Sequence, residues 1–131
     1  MAVIVKEVKT VQIPLSQANG VISGLLKMPY TNLLEWRRNN NLLVELEKQT
    51  QETLQPIAQD FYKTRKLSED ETISPSHPLW YEWVKSQYEV FIELPKNNVQ
   101  IFTDKDLDKA IASGALSFDE IKYVDLYLTK K

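Results

Sequence analysis

The feature that most constrains this chain is one apolar stripe between positions 43 and 61. Leu43, Leu46, Thr50, Leu54, Ile57 and Phe61 follow one another at spacings of 3, 4, 4, 3 and 4. That rhythm is close to the 3.6-residue period of a straight amphipathic helix and departs from the heptad of a supercoiled seam. Leu42 and Val44 broaden the stripe at its start. The pattern predicts a helix from Leu33 to about Lys66 that must bury one face. Pro56 removes one backbone donor and crowds the carbonyl of Glu52, so a kink near 52–56, or two helices in sequence, is expected.

The segments before the stripe carry different signals. From Ala2 to Leu15, Val3, Val5, Val11 and Ile13 share one parity, with Glu7 and Lys9 between them. This is strand chemistry, one strand or two short ones, ending at Pro14. Ser16 fits an N-cap for a short helix carrying Ala18, Ile22, Leu25 and Met28. Gly20 and Gly24 each weaken that helix by about 1 kcal/mol relative to Ala. Their spacing puts both on one face, where another backbone can approach closely. Pro29 ends the helix, and Thr31 or Asn32 can cap the long one. Residues 16–66 therefore read as a helical hairpin.

After the hairpin, Ser68 to Pro78 is loop chemistry with an acidic run, expected to be mobile. Pro78 suits the first position of a helix of about 10 residues containing Leu79-Trp80-Tyr81-Glu82-Trp83-Val84. Tyr88 to Leu94 suits a strand, and Pro95-Lys96-Asn97-Asn98 a turn into Val99-Gln100-Ile101-Phe102, giving a β-hairpin. Thr103 caps a short helix that carries Leu107, Ala110 and Ile111 and stops at Gly114. Ser117 and Glu120 fit a capping box for a last helix, whose Ile121, Val124 and Leu128 anchor the tail. The expected fold is a single α+β domain over residues 1–131, mostly helical. Its parts are a strand segment (1–15), the hairpin (16–66), an acidic loop (67–78) and an aromatic helix, β-hairpin and two C-terminal helices (79–131).

Composition narrows the chemistry. The 131 residues include no cysteine and one histidine, His77. Disulfides, thiolate catalysis, cysteine–zinc sites and histidine-rich metal cages are thereby excluded. Net charge is −2, but residues 1–66 hold nine basic and six acidic side chains, and 67–131 hold seven and twelve. Neither half has the excess of a dedicated nucleic-acid binder. No apolar run approaches the roughly 20 residues of a bilayer-spanning helix. Met-Ala-Val-Ile-Val-Lys lacks the pattern of a secretory leader, so the expected location is a reducing cytoplasm, the organism's own or a host's, or a virion.

Candidate sites are few, and each has a plain alternative. Trp36, Arg37 and Arg38, followed by Asn39-Asn40-Asn41, combine an aromatic, two guanidiniums and amides that can grip a phosphate or nucleotide. The same residues serve equally as the polar face of a helix. Trp80, Tyr81, Trp83 and Tyr88 concentrate aromatics in nine residues and are candidates for a protein interface. Trp80 and Trp83 share a helix face, which can instead seal the core. His77 is the one side chain suited to general base catalysis near neutral pH, yet its Ser-His-Pro setting reads as a loop. Asp104-Lys105-Asp106-Leu107-Asp108 resembles the start of a calcium loop, but Lys109 and Ala115 stand where glycine and glutamate are required. Glu69-Asp70-Glu71 can draw a cation or simply be solvated. No phosphate-binding loop, dinucleotide fingerprint, nucleophile elbow or zinc-protease motif occurs.

The order of elements resembles that of small phage and prophage accessory proteins. The likeness rests on the Leu-rich hairpin ending in Phe61-Tyr62 through Glu71, and on Trp80-Tyr81-Glu82-Trp83-Val84. It continues through the strand pair and Leu116-Ser117-Phe118-Asp119-Glu120-Ile121, covering residues 30–131. These proteins have no assigned activity, so the resemblance implies no catalytic residues. The combined expectation is a non-enzymatic interaction or assembly protein, phage-encoded, without cofactor or metal. Its partner would be a protein or a second copy. The alternative is an inhibitor of a host defence system that binds a host protein or sequesters a nucleotide signal, with Trp36, Arg37 and Arg38 converging across a dimer.

Overall fold

The computed structural model describes residues 9–131, so the expected extended run through Val3, Val5 and Glu7 lies outside the described residues. The element order is β1 (Thr10–Pro14), α1 (Leu15–Leu26), α2 (Leu33–Thr64), α3 (Trp80–Tyr88), β2 (Phe91–Pro95), α4 (Lys96–Val99), α5 (Asp104–Ser113) and α6 (Phe118–Tyr123). A π-helical turn, Val124–Leu128, closes the series. The architecture is α+β and mostly helical, with an α1–α2 hairpin packed on a two-stranded antiparallel sheet.

The sheet departs from expectation. β2 pairs with β1, in the register Val11↔Leu94 and Ile13↔Ile92, and no β-hairpin joins it to residues 99–102. The parity of Val11 and Ile13 supplies the reason, because it matches that of Ile92 and Leu94 and buries all four on one face. Val99 closes the short helix α4 and Phe102 follows it, and the two, three residues apart, are both buried, a spacing that would put them on opposite faces of one strand. Phe102 instead bridges in parallel to Thr129. Its amide donates to the Leu128 carbonyl at 3.1 Å and its carbonyl accepts from Lys130 at 2.8 Å.

Helix α1 starts at Leu15, directly after Pro14, so Ser16 is not its cap. The Leu15 amide donates to the Val90 carbonyl at 2.8 Å, which satisfies a free helix-start donor and fixes α1 beside the strand. Gly20 and Gly24 meet α6, as their shared face suggested. A Cβ on Gly24 would lie 2.8 Å from Val124 Cγ2 and 3.3 Å from the Glu120 carbonyl, and one on Gly20 would strike the Tyr123 ring.

Helix α2 runs unbroken through Pro56, which is exposed on its outer side. Leu42, Leu46, Thr50 and Phe61 are buried, and Leu43, Leu54 and Ile57 are partly buried, so the stripe faces the core. Val44 does not broaden it and is exposed. Asn32 caps the helix, accepting from the Glu35 amide at 2.9 Å, while the Glu35 carboxylate accepts from the Thr31 amide and hydroxyl, both at 2.7 Å. Those bonds hold the Glu35 carboxyl below its usual range.

The acidic loop is tied down. Tyr62 donates to the Glu71 carbonyl at 2.6 Å, Ile73 is buried, and His77 clasps Glu71. α3 starts at Trp80, so Pro78 precedes the helix and does not occupy its first position. The capping boxes at Thr103/Asp106 and Ser117/Glu120 both form, and Gly114 takes the left-handed conformation at φ 71°. The last expected helix divides into α6 and the π-helical turn, where Val124 and Leu128 are buried and the Thr129 hydroxyl donates to the Val124 carbonyl at 3.0 Å. Among the described residues no helix is long and apolar enough to cross a membrane.

Candidate interaction site at the mouth of the helical hairpin

The core stripe of α2 extends backward from Leu46 to Asn39, seven residues earlier on the same face. An asparagine therefore occupies a position the helix turns inward, and it is buried. One turn nearer the start, Trp36 stands on that line at the rim. Trp36, Asn39, Asn40 and Leu43 face Leu25, Leu26, Met28 and Tyr30 across the hairpin and enclose a pocket of about 70 Å³. Among the described residues no charged side chain lines it. Three of the lining side chains reach solvent: Leu26, Tyr30 and, at 42%, Trp36. Leu33 and Leu34, in the first turn of α2, are exposed as well, and Leu34 lies on the other side of the helix.

The expected trio does not converge. Trp36 faces the pocket, whereas Arg37 and Arg38 line a separate open groove with Leu34, Glu35, Glu45, Asn98 and Ile101. Arg38 is occupied there. Its guanidinium carbon lies 5.0 Å from the centre of the buried Phe102 ring, and Nε and Nη2 donate to Asn39 Oδ1 at 3.2 and 3.1 Å. Its charge also helps hold down two carboxyls. In Asp106, burial pushes the carboxyl up, but the Thr103 amide and hydroxyl and then Arg38 outweigh it and leave it lowered. In Glu35, Arg38 adds to the hydrogen bonds from Thr31. A phosphate entering this groove would meet Glu35 and Glu45 as well as Arg37, with Arg38 already spent.

The α3 aromatics split as their spacing implies. Trp83 packs edge-on to Phe61 (centroids 5.2 Å apart, 70°) and Tyr62 (6.3 Å, 75°). Arg65 caps the stack, 3.7 Å above Phe61, while its Nε donates to Glu82 at 3.1 Å. Trp80 is half-buried. Tyr81, 87% exposed, and Tyr88 point to solvent.

His77 is held by both ring nitrogens. Nδ1 accepts from the Leu79 amide at 3.0 Å, which leaves Nε2 as the donor to Glu71 Oε1 at 2.9 Å. It closes the loop and has no nitrogen left to take a substrate proton. Asp106 is committed to its capping box, and among the described residues no three His, Cys, Asp or Glu side chains gather as a metal site.

One cluster escaped the sequence reading. Ser23 on α1 and Lys27 at its C-cap, four residues on, both donate to the buried carboxylate of Glu120, Lys27 at 2.9 Å. With the Ser117 amide they hold its carboxyl down to about 2, Ser23 contributing most. Every atom of the carboxylate is engaged, so the cluster is a clamp between helices. Asn39 was read as a ligand-gripping amide and its burial was not foreseen, nor was the exposure of Leu26, Leu33 and Leu34. The signal for Asn39 was available, since a run of three asparagines is poor helix chemistry and its first member falls on the core stripe. Comparisons with protein families, with curated proteins and with solved structures find no match to this chain.

Proposed function

We propose that this chain is a non-enzymatic interaction protein, a phage-encoded accessory component that acts in assembly through the mouth of its helical hairpin. The observation that carries the reading is the exposure of Leu26, Tyr30 and Trp36 around a pocket that no charged side chain lines among the described residues. Such patches mark protein contact sites on soluble domains, because a lone domain gains nothing by leaving them wet. The engagement of both His77 nitrogens supports a role without catalysis. The divergence of Trp36 from Arg37 and Arg38 favours a protein partner over a captured nucleotide. The Trp36 pocket, about 70 Å³, is far below the roughly 300 Å³ and more of small-molecule sites, and the roomier Arg37/Arg38 groove carries Glu35 and Glu45, which oppose an anionic nucleotide.

Affinity capture from phage-infected cells, run with wild type and Trp36→Glu and paired with light scattering, tests the reading. The wild type is expected to retain a specific partner or a second copy that the variant loses. A wild type that stays monomeric at its highest soluble concentration and captures nothing overturns it.

A further inference from the structure

His77 joins the acidic loop to α3 through a contact that only the neutral ring can make. Its Nδ1 carries no proton, because it accepts from the amide of Leu79, the N-cap of α3, at 3.0 Å. Nε2 carries the proton and donates to Glu71 Oε1 at 2.9 Å. The His77 side chain is only 14% exposed, so water does not readily stand in for the ring at the Leu79 amide.

A second proton can enter only at Nδ1, and only by giving up that amide. Both nitrogens of an imidazolium donate, so two N–H groups would then face each other across 3.0 Å. The charged ring would also stand at the start of α3, the end of a helix that disfavours a cation. On the other side the effect is opposite, because a charged donor bonds the Glu71 carboxylate more strongly than a neutral one.

We propose that protonation of His77 moves the ring off Leu79 and onto Glu71 alone, which frees the joint between loop and α3 in acid while the loop stays clasped. The parts on either side of the joint have their own anchors. Tyr62 on α2 donates to the Glu71 carbonyl at 2.6 Å, and Ile73 is buried. On α3 the Trp83 amide donates to the Leu79 carbonyl at 2.9 Å, a bond that protonation does not touch. The release is therefore confined to the link through Pro78 and Leu79. Among the described residues Glu71 is the one charged group bonded to the ring. Arg65 of α2 is paired with Glu82 of α3, and Lys63, Lys66, Glu69 and Asp70 are exposed and do not bond it.

Nuclear magnetic resonance on the full chain from pH 8 to pH 5, the interval in which imidazoles titrate, tests this. The carbon-bound protons of the ring report its protonation. Amide exchange, taken against the unstructured rate at the same pH, reports whether Leu79 is bonded. Protection of Leu79 is expected to fall about three- to tenfold in step with the ring, while that of Trp83 holds. In His77→Asn the side-chain oxygen can accept from the amide two residues on and does not titrate, so its Leu79 protection is expected to stay constant. Protection of Leu79 that ignores the ring's titration overturns the proposal, as does a ring that takes no second proton in this interval. An equal loss in His77→Asn assigns the effect to another group and overturns it too. Loss at Trp83 alongside Leu79 would mean that acid unravels α3 as a whole, which also excludes a local joint.

Discussion

Lys27, the C-cap of α1, lies 2.9 Å from the carboxylate of Glu120 on α6, joining residues 93 positions apart in the chain. Glu120 also closes its own helix's capping box by accepting from the Ser117 amide at 2.8 Å. One side chain therefore starts a helix and fastens it to the hairpin.

This clamp makes stability depend on acid in a defined window. The Glu120 carboxyl is held at about 2, against an ordinary 4.5, so the folded state binds its proton more weakly than the unfolded state. Its contribution is complete above about pH 4.5 and is lost as pH falls towards 2, with a ceiling of about 3 kcal/mol. Urea unfolding of wild type and Glu120→Gln at pH 7, 5, 4, 3 and 2 checks it. The gap between the two is expected to close progressively below pH 5, and a gap constant with pH would refute the clamp.

The glycine face of α1 makes a second, graded prediction. Gly24→Ala drives a methyl into the buried Val124 and towards a backbone carbonyl, neither of which can retreat. It is expected to cost about 1–3 kcal/mol despite the gain in helix propensity. Gly20→Ala meets only the half-buried Tyr123 ring, which can swing aside, so it is expected to cost less. Chemical denaturation of both variants gives the order, and equal costs would contradict it.

The loop clasp is open to proteolysis. His77→Ala removes the acceptor for the Leu79 amide and the donor to Glu71. Limited digestion of the variant is expected to cut within residues 68–79 several-fold faster, with the melting temperature lowered by only a few degrees. Unchanged cleavage would show that Tyr62 and Ile73 hold the loop unaided.

The parts of the fold legible in the sequence were those governed by local chemistry. The α2 stripe, the caps at Thr103 and Ser117, the stop at Gly114 and the crowded glycine face all follow from residues a few positions apart. The partner of β2 was not legible, because pairing with β1 spans some 80 residues and no turn connects the two. Val99-Gln100-Ile101-Phe102 misled for a related reason. Its apolar content suits a strand, but its place is set by the tail at Thr129, far along the chain. At the site, Trp36 lines a pocket, and its expected grouping with Arg37 and Arg38 does not form. Adjacent helix positions point about 100° apart, and Phe102, remote in sequence, claims Arg38.

The Phe102–Thr129 bridge also governs when the domain can exist during synthesis. The hairpin helices can form as soon as they leave the ribosome, but the surface they bury is completed by Leu128 and Thr129, both fully enclosed. Until those residues emerge, the nascent chain holds an open core beside an apolar hairpin mouth, the state in which chains are most exposed to chaperones and to each other. Substitutions or deletions that disturb Leu128 and Thr129 should therefore lower the yield of soluble protein long before they alter any surface it presents.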